Sequence, residues 1–147
     1  MNYLGVQNMI LKAKEDERKK GKPFDFRYET IDDKIMITDR RTMWVIPLEA
    51  FYLDIEKVFD KEPLKIFKKM LGGLIDAQVV NETGEYKKYE GMMTTRLAGD
   101  GFDVWIDEKK LKYFDKNGLA FMAAAENSVV YVHEDEVLVG LVMPVKL

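Results

Sequence analysis

The chain has 147 residues, with 23 Lys and Arg against 26 Asp and Glu, for a formal net charge of −3. No Cys and a single His, His133, exclude disulfides, thiolate catalysis, Cys-based zinc and any multi-His metal site within one chain. A hydrophobic share of 47% is enough for a core, and the length suits one domain, 1–147.

Val6, Met9, Ile10 and Ala13 recur at helical spacing, so Leu4 to Lys20 reads as an amphipathic helix stopped by Gly21 and Pro23. Phe24 to Tyr28 alternates apolar and polar, the period of a strand. Asp32-Asp33 and Asp39-Arg40-Arg41 read as turns around strands at Ile35 to Thr38 and Met43 to Ile46. Pro47 suits a first helical turn, and the spacing of Phe51, Ile55, Val58 and Phe59 predicts a helix over Leu48 to Phe59. A second helix is expected over Glu62 to Leu71, ended by Gly72-Gly73. Ala77 to Asn81 and Tyr86 to Leu97 read as strands around Gly84, with a break at Gly99-Asp100-Gly101. This central stretch, 48–101, adds helix and hairpin to the domain.

From Phe102 the opening pattern returns. Phe102 to Ile106 is a strand, Asp107 an N-cap and Lys109 to Phe114 a short helix. Strands follow at Leu119 to Ala124, Val129 to His133 and Val137 to Val142, the last two joined by Glu134-Asp135-Glu136. The expected fold is α+β: an antiparallel sheet with helices on one face, built from two helix-plus-three-strand units.

The charge is unevenly spread. Segments 12–22, 55–70 and 107–116, all read as helical, together carry +6, which leaves −9 for the rest. Lys12, Lys14, Arg18, Lys19, Lys20, Lys109, Lys110 and Lys112 could contact phosphates of duplex DNA without reading bases. Lys also simply favours solvated helix faces, and both readings stay open.

Catalytic patterns are thin. Ser128, His133 and Asp135 lie close in sequence, yet no Gly-x-Ser-x-Gly accompanies them. His133 with Glu134, Asp135 and Glu136 offers metal-ligand types, but neighbouring turn residues point apart. Asp32-Asp33 and Asp54 with Glu56 show no cleft between facing carboxylates. Trp44 and Trp105 fall in strands, where core packing competes with base stacking. No enzyme activity, cofactor or metal is expected.

The final residues, Val142-Met143-Pro144-Val145-Lys146-Leu147, resemble the tail of the bacterial DNA sliding clamp, the β subunit of the replicative polymerase. That tail typically reads Val/Ile-Met-Pro-Met-Arg-Leu. The strand, helix and three strands of 102–147 are similar in order to the second half of a clamp's C-terminal domain. The resemblance implies a non-enzymatic, self-associating protein with basic helices toward duplex DNA. It also implies a peptide pocket walled by Met143, Pro144, Val145 and Leu147, for short linear segments of DNA-processing proteins. Two departures stand against ring closure: the chain holds about one clamp-sized domain rather than three, and 48–101 has no counterpart. Val145 also replaces the usual second Met. The alternative is a small protein-interaction or regulatory domain that binds no nucleic acid. A cytoplasmic location with no membrane contact is expected, since the longest apolar run, Val137 to Val145, is short of the ~20 residues a spanning helix needs.

Overall fold

The structure is a computed structural model describing Met1–Leu147. Helix α1, Tyr3–Lys19, opens the chain. Strands β1 (Arg27–Ile31), β2 (Lys34–Thr38) and β3 (Thr42–Pro47) follow as a meander. Two short helices, α2 (Ile55–Val58) and α3 (Phe67–Gly72), precede a hairpin of β4 (Gln78–Tyr89) and β5 (Met92–Ala98). Strand β6 (Asp103–Asp107) leads through a 3-10 turn, Glu108–Leu111, to a second meander. That meander is β7 (Leu119–Ala123), β8 (Val130–Glu134) and β9 (Val137–Val142). All nine strands form one antiparallel sheet in the order β1-β2-β3-β9-β8-β7-β4-β5-β6.

The α+β class and both meanders agree with the sequence pattern. Helix α1 begins where the Asn2 side chain accepts the Gly5 N–H at 2.8 Å, and it gives way at Gly21, φ 69°. Val6 and Ile10 are fully buried, each contributing about 1.5–3 kcal/mol of apolar burial. They meet Ile35 and Ile37 of β2 and Trp44 and Ile46 of β3 in the main core. Strand alternation sends Met36, Met43, Val45, Tyr131 and Leu141 to the other face, where Phe67 of α3 covers them. The helices therefore lie on both faces, not one. The sheet has two apolar faces to bury, and one amphipathic helix can serve only one of them.

The main core extends around the sheet. Leu97 of β5 and Val104 and Ile106 of β6 share it with the α1 contacts. The sheet curls so far that Val145, just past β9, donates its N–H to the Trp105 carbonyl of β6 at 2.7 Å. Val139 forms a bulge in β9, since Val132 faces Gly140 while His133 faces Leu138. Gly140 is needed there. A Cβ would lie 2.5 Å from the Met43 carbonyl oxygen and 2.6 Å from the Phe114 ring.

The region 48–76 departs most from expectation. Leu48 to Phe59 is no helix: a 3-10 turn at Leu48–Ala50 passes into extended chain before the four residues of α2. The cause is Gln7, only 2% exposed. Its amide donates to the Ala50 carbonyl at 2.9 Å and accepts the Tyr52 N–H at 2.6 Å, which holds this backbone open. Glu62 to Ile66 also stays outside any helix. Leu64 donates to the Tyr28 carbonyl at 2.8 Å, and the Glu29 carboxylate takes the N–H groups of Ile66 and Phe67 where α3 begins. The strand expected at Tyr86 to Leu97 is a hairpin, turning at Glu90-Gly91, both with positive φ. Lys109 to Phe114 makes a 3-10 turn followed by further turns rather than an α-helix. Phe24 to Tyr28 joins β1 only from Arg27; Phe24 is a core residue stacked on Phe26 at 4.7 Å. No helix is long and apolar enough to cross a membrane.

Candidate binding cleft

Strand β4 changes partner partway along. Gln78, Val79 and Val80 pair with Ala123, Met122 and Phe121 of β7, while Asn81 to Tyr89 pairs only with β5. The split is built in. Gly84 takes φ 81°, Thr83 Oγ1 accepts the Glu85 N–H at 3.1 Å, and the register with β5 shifts between Glu82 and Tyr86. On the outer face, Arg96 holds Glu85 at 3.0 Å and Asp103 at 2.9 Å. Exposed carboxylates and guanidinium tie β4, β5 and β6 into a small sheet that leans away from β7.

A concavity of about 640 Å³ opens where the strands part. Val80, Leu111, Leu119 and Phe121 form its apolar floor, with Val79, Tyr86 and Met93 at the mouth. Those three are 57%, 55% and 42% exposed, a cluster of apolar side chains that the fold leaves in water. Lys109, Lys112 and Lys116 stand on one wall, and Glu82 and Glu108 also line it.

The lysine-bearing wall, 107–116, is firmly held. Asp107 caps its 3-10 turn by accepting the Lys109 N–H at 3.1 Å. Leu111 and Phe114 anchor it in the core. Asn2 donates its N–H to the Tyr113 carbonyl at 2.8 Å. Glu134 accepts the Asp115 N–H at 2.5 Å and the Met1 amine at 2.6 Å. Of the wall's lysines, Lys110 reaches toward Asp39 at 3.9 Å, and Lys112 lies 5.5 Å from the centre of the Tyr113 ring.

The eight basic residues singled out from the sequence do not form one surface. Lys14 is spent on the Val58 carbonyl at 2.5 Å and on Asp60 at 3.1 Å. Arg18 pairs with Glu15 along the helix. Lys12, Lys19 and Lys20 are exposed toward the C-terminal half of α1. The wall carrying Lys109, Lys110 and Lys112 touches α1 at its other end, through Asn2 and Gly5 against Tyr113. With a rise of 1.5 Å per residue, about 25 Å separates those ends. The two basic segments are not side by side. Nor does the +6 belong to helices, since only 12–22 lies largely in a long one.

The tail residues are also placed differently from a pocket wall. Met143 donates to the Arg41 carbonyl at 2.8 Å and Val145 to Trp105, so the segment is a strap between β3 and β6. Met143 lines a dent of about 30 Å³, and none of Met143, Pro144, Val145 and Leu147 lines the concavity beside β4.

Near the acidic turn, no hydrogen bond joins Ser128, His133 and Asp135. His133 Nδ1 is buried without a partner, and burial holds the imidazole below its ordinary value. No group of three or more His, Asp or Glu side chains is placed to hold a metal ion. Both tryptophans lie in strands, and Trp44 is buried edge-on to Tyr113. The cleft escaped the sequence reading because it arises from a strand exchanging partners. Its one local signal is Gly84 between two β-prone runs, read instead as a break. Comparison with protein-family models, curated proteins and solved structures finds no match to this chain.

Proposed function

We propose that the protein is a non-enzymatic protein-interaction module that accepts an extended segment of a partner at the split between β4 and β7. One observation carries this reading: the long strand edge without a backbone partner, Asn81 to Tyr89, opens onto the concavity of about 640 Å³. An added strand would gain main-chain hydrogen bonds from β4 and bury alternate side chains in the apolar floor. Amide hydrogen exchange on selected peptide binders tests it. Binding should slow exchange along Asn81 to Tyr89; protection elsewhere, with this edge unchanged, would overturn the reading.

A second reading keeps the clamp-like protein that self-associates and meets duplex DNA. The exposed Lys12, Lys19 and Lys20 favour it, since all three are free of ion pairs. DNA affinity would then fall steeply with salt, as counterion release demands, and no duplex binding at low salt would remove it. A cysteine-free chain is compatible with the cytoplasm under either reading.

A further inference from the structure

Resting on the strand-addition reading, we infer that the cleft's occupant is an acidic extended peptide, with carboxylates alternating with apolar residues. The charge around the open edge selects it. Lys88, in register with Met93, and Lys87, on the opposite face, lie on β4 itself, and Lys109, Lys112 and Lys116 line the cleft. None of these five pairs with a carboxylate; the seven ion pairs of the fold use other groups. Against them the walls offer Glu82 and Glu108, while Glu85 is turned to Arg96 on the outer face.

The same charges disfavour a second copy of the chain. The regular, fully paired part of β4 beyond its irregularity is Tyr86 to Tyr89. Antiparallel pairing of this stretch with itself sets Lys87 opposite Lys87 or Lys88 of the other copy, and like charges directly opposite destabilise a strand pair. Edge lysines are a common guard against such self-pairing. An acidic strand turns this guard into attraction. Its apolar residues, on the face toward the floor, cover Tyr86, Met93 and Val79. Leu111, Phe114 and the Glu134 carboxylate fix the backbone that carries the wall's lysines before any ligand arrives.

Three synthetic ten-residue peptides decide the matter: Glu alternating with Val, Lys alternating with Val, and Thr alternating with Val. A 20-base-pair DNA duplex and an acidic peptide with N-methylated backbone complete the set. Binding is followed by amide chemical shifts of the labelled protein. The acidic peptide should bind, shifting Asn81 to Tyr89 and Leu119 to Phe121. The N-methylated version should lose the interaction. The surface variant Lys109→Glu/Lys112→Glu/Lys116→Glu should weaken the acidic peptide at least tenfold while keeping its own dispersed spectrum. Equal binding of the Thr or Lys peptide would overturn the acidic preference and leave strand addition standing. Failure of all three peptides would overturn both. Duplex DNA shifting the same residues more strongly would give the cleft to nucleic acid, and concentration-dependent shifts without peptide would give it to a second copy.

Discussion

The two ends of the sheet and the middle of β4 are treated in opposite ways. Outer strand β1 is flanked by the segment at Glu62 to Leu64, held by Leu64 to Tyr28 and by Arg27 to the Glu62 carbonyl. Outer strand β6 is flanked by the strap at Val145. Both straps are irregular chain with no helix or strand of their own, spent on keeping strand edges out of water. The internal edge at Asn81 to Tyr89 receives no such cover, although it is the longest of the three. A chain that covers its ends and leaves an interior edge bare has placed its vacancy beside an apolar floor and a lysine wall. The contrast is between backbone satisfied within the fold and backbone that the fold leaves without a strand partner.

Perturbing the satisfied side should cost most. Gly140→Ala brings a methyl group against the Met43 carbonyl and the Phe114 ring. Neither can move freely in the bulge between β3 and β8, so a loss of about 3 kcal/mol is expected in urea unfolding. Gln7→Ala comes next, at about 2 kcal/mol, because it strands the Ala50 carbonyl and the Tyr52 N–H that the amide now serves. Gln7→Ala should leave peptide binding at the cleft unchanged if the two regions are independent.

A smaller effect should appear with pH. His133 is held below its ordinary value of 6.5 by burial, so the unfolded chain takes up a proton before the folded one does. Its contribution to stability is therefore complete above pH 6.5 and declines as the pH falls toward the folded value. His133→Gln should flatten the unfolding midpoint over that window, and an unchanged slope would locate the effect in another group. The smallest change in stability, within about 0.5 kcal/mol, is expected for Met93→Asp at the exposed cleft mouth. The same substitution should abolish binding of an acidic strand. Loss of binding with stability intact is the result that most sharply divides the open edge from the covered ones.

Elements stated by local chemistry were legible in the sequence. The Asp107 cap, the Asp39-Arg40-Arg41 turn and the strands at Ile35 to Thr38, Met43 to Ile46 and Val137 to Val142 stand where the pattern set them. Helical spacing at Phe51, Ile55, Val58 and Phe59 misled because Gln7, more than forty residues earlier, claims the backbone between them. Tertiary hydrogen bonds outweigh a propensity of a few tenths of a kcal/mol per residue. The Glu90-Gly91 turn falls inside the single strand expected over Tyr86 to Leu97, while Gly84, expected between two strands, bends β4 without ending it. Of the lysine wall, Lys109 and Lys112 are singled out by the sequence and Lys116 is not, and the helix expected to carry them does not form. The cleft itself follows from strand order, which no local window contains.

The ladder between β3 and β9 sets the pace at which this protein can fold. It joins Thr42 to Val142 and Trp44 to Gly140, so the first meander meets the second only across most of the chain. Closing so large a loop carries an entropy that local hairpins do not face, and sheets dominated by distant pairings fold over milliseconds to seconds. Stopped-flow refolding should show hairpin-like signals first and the burial of Trp44 late, because that indole sits at the seam where the distant halves meet.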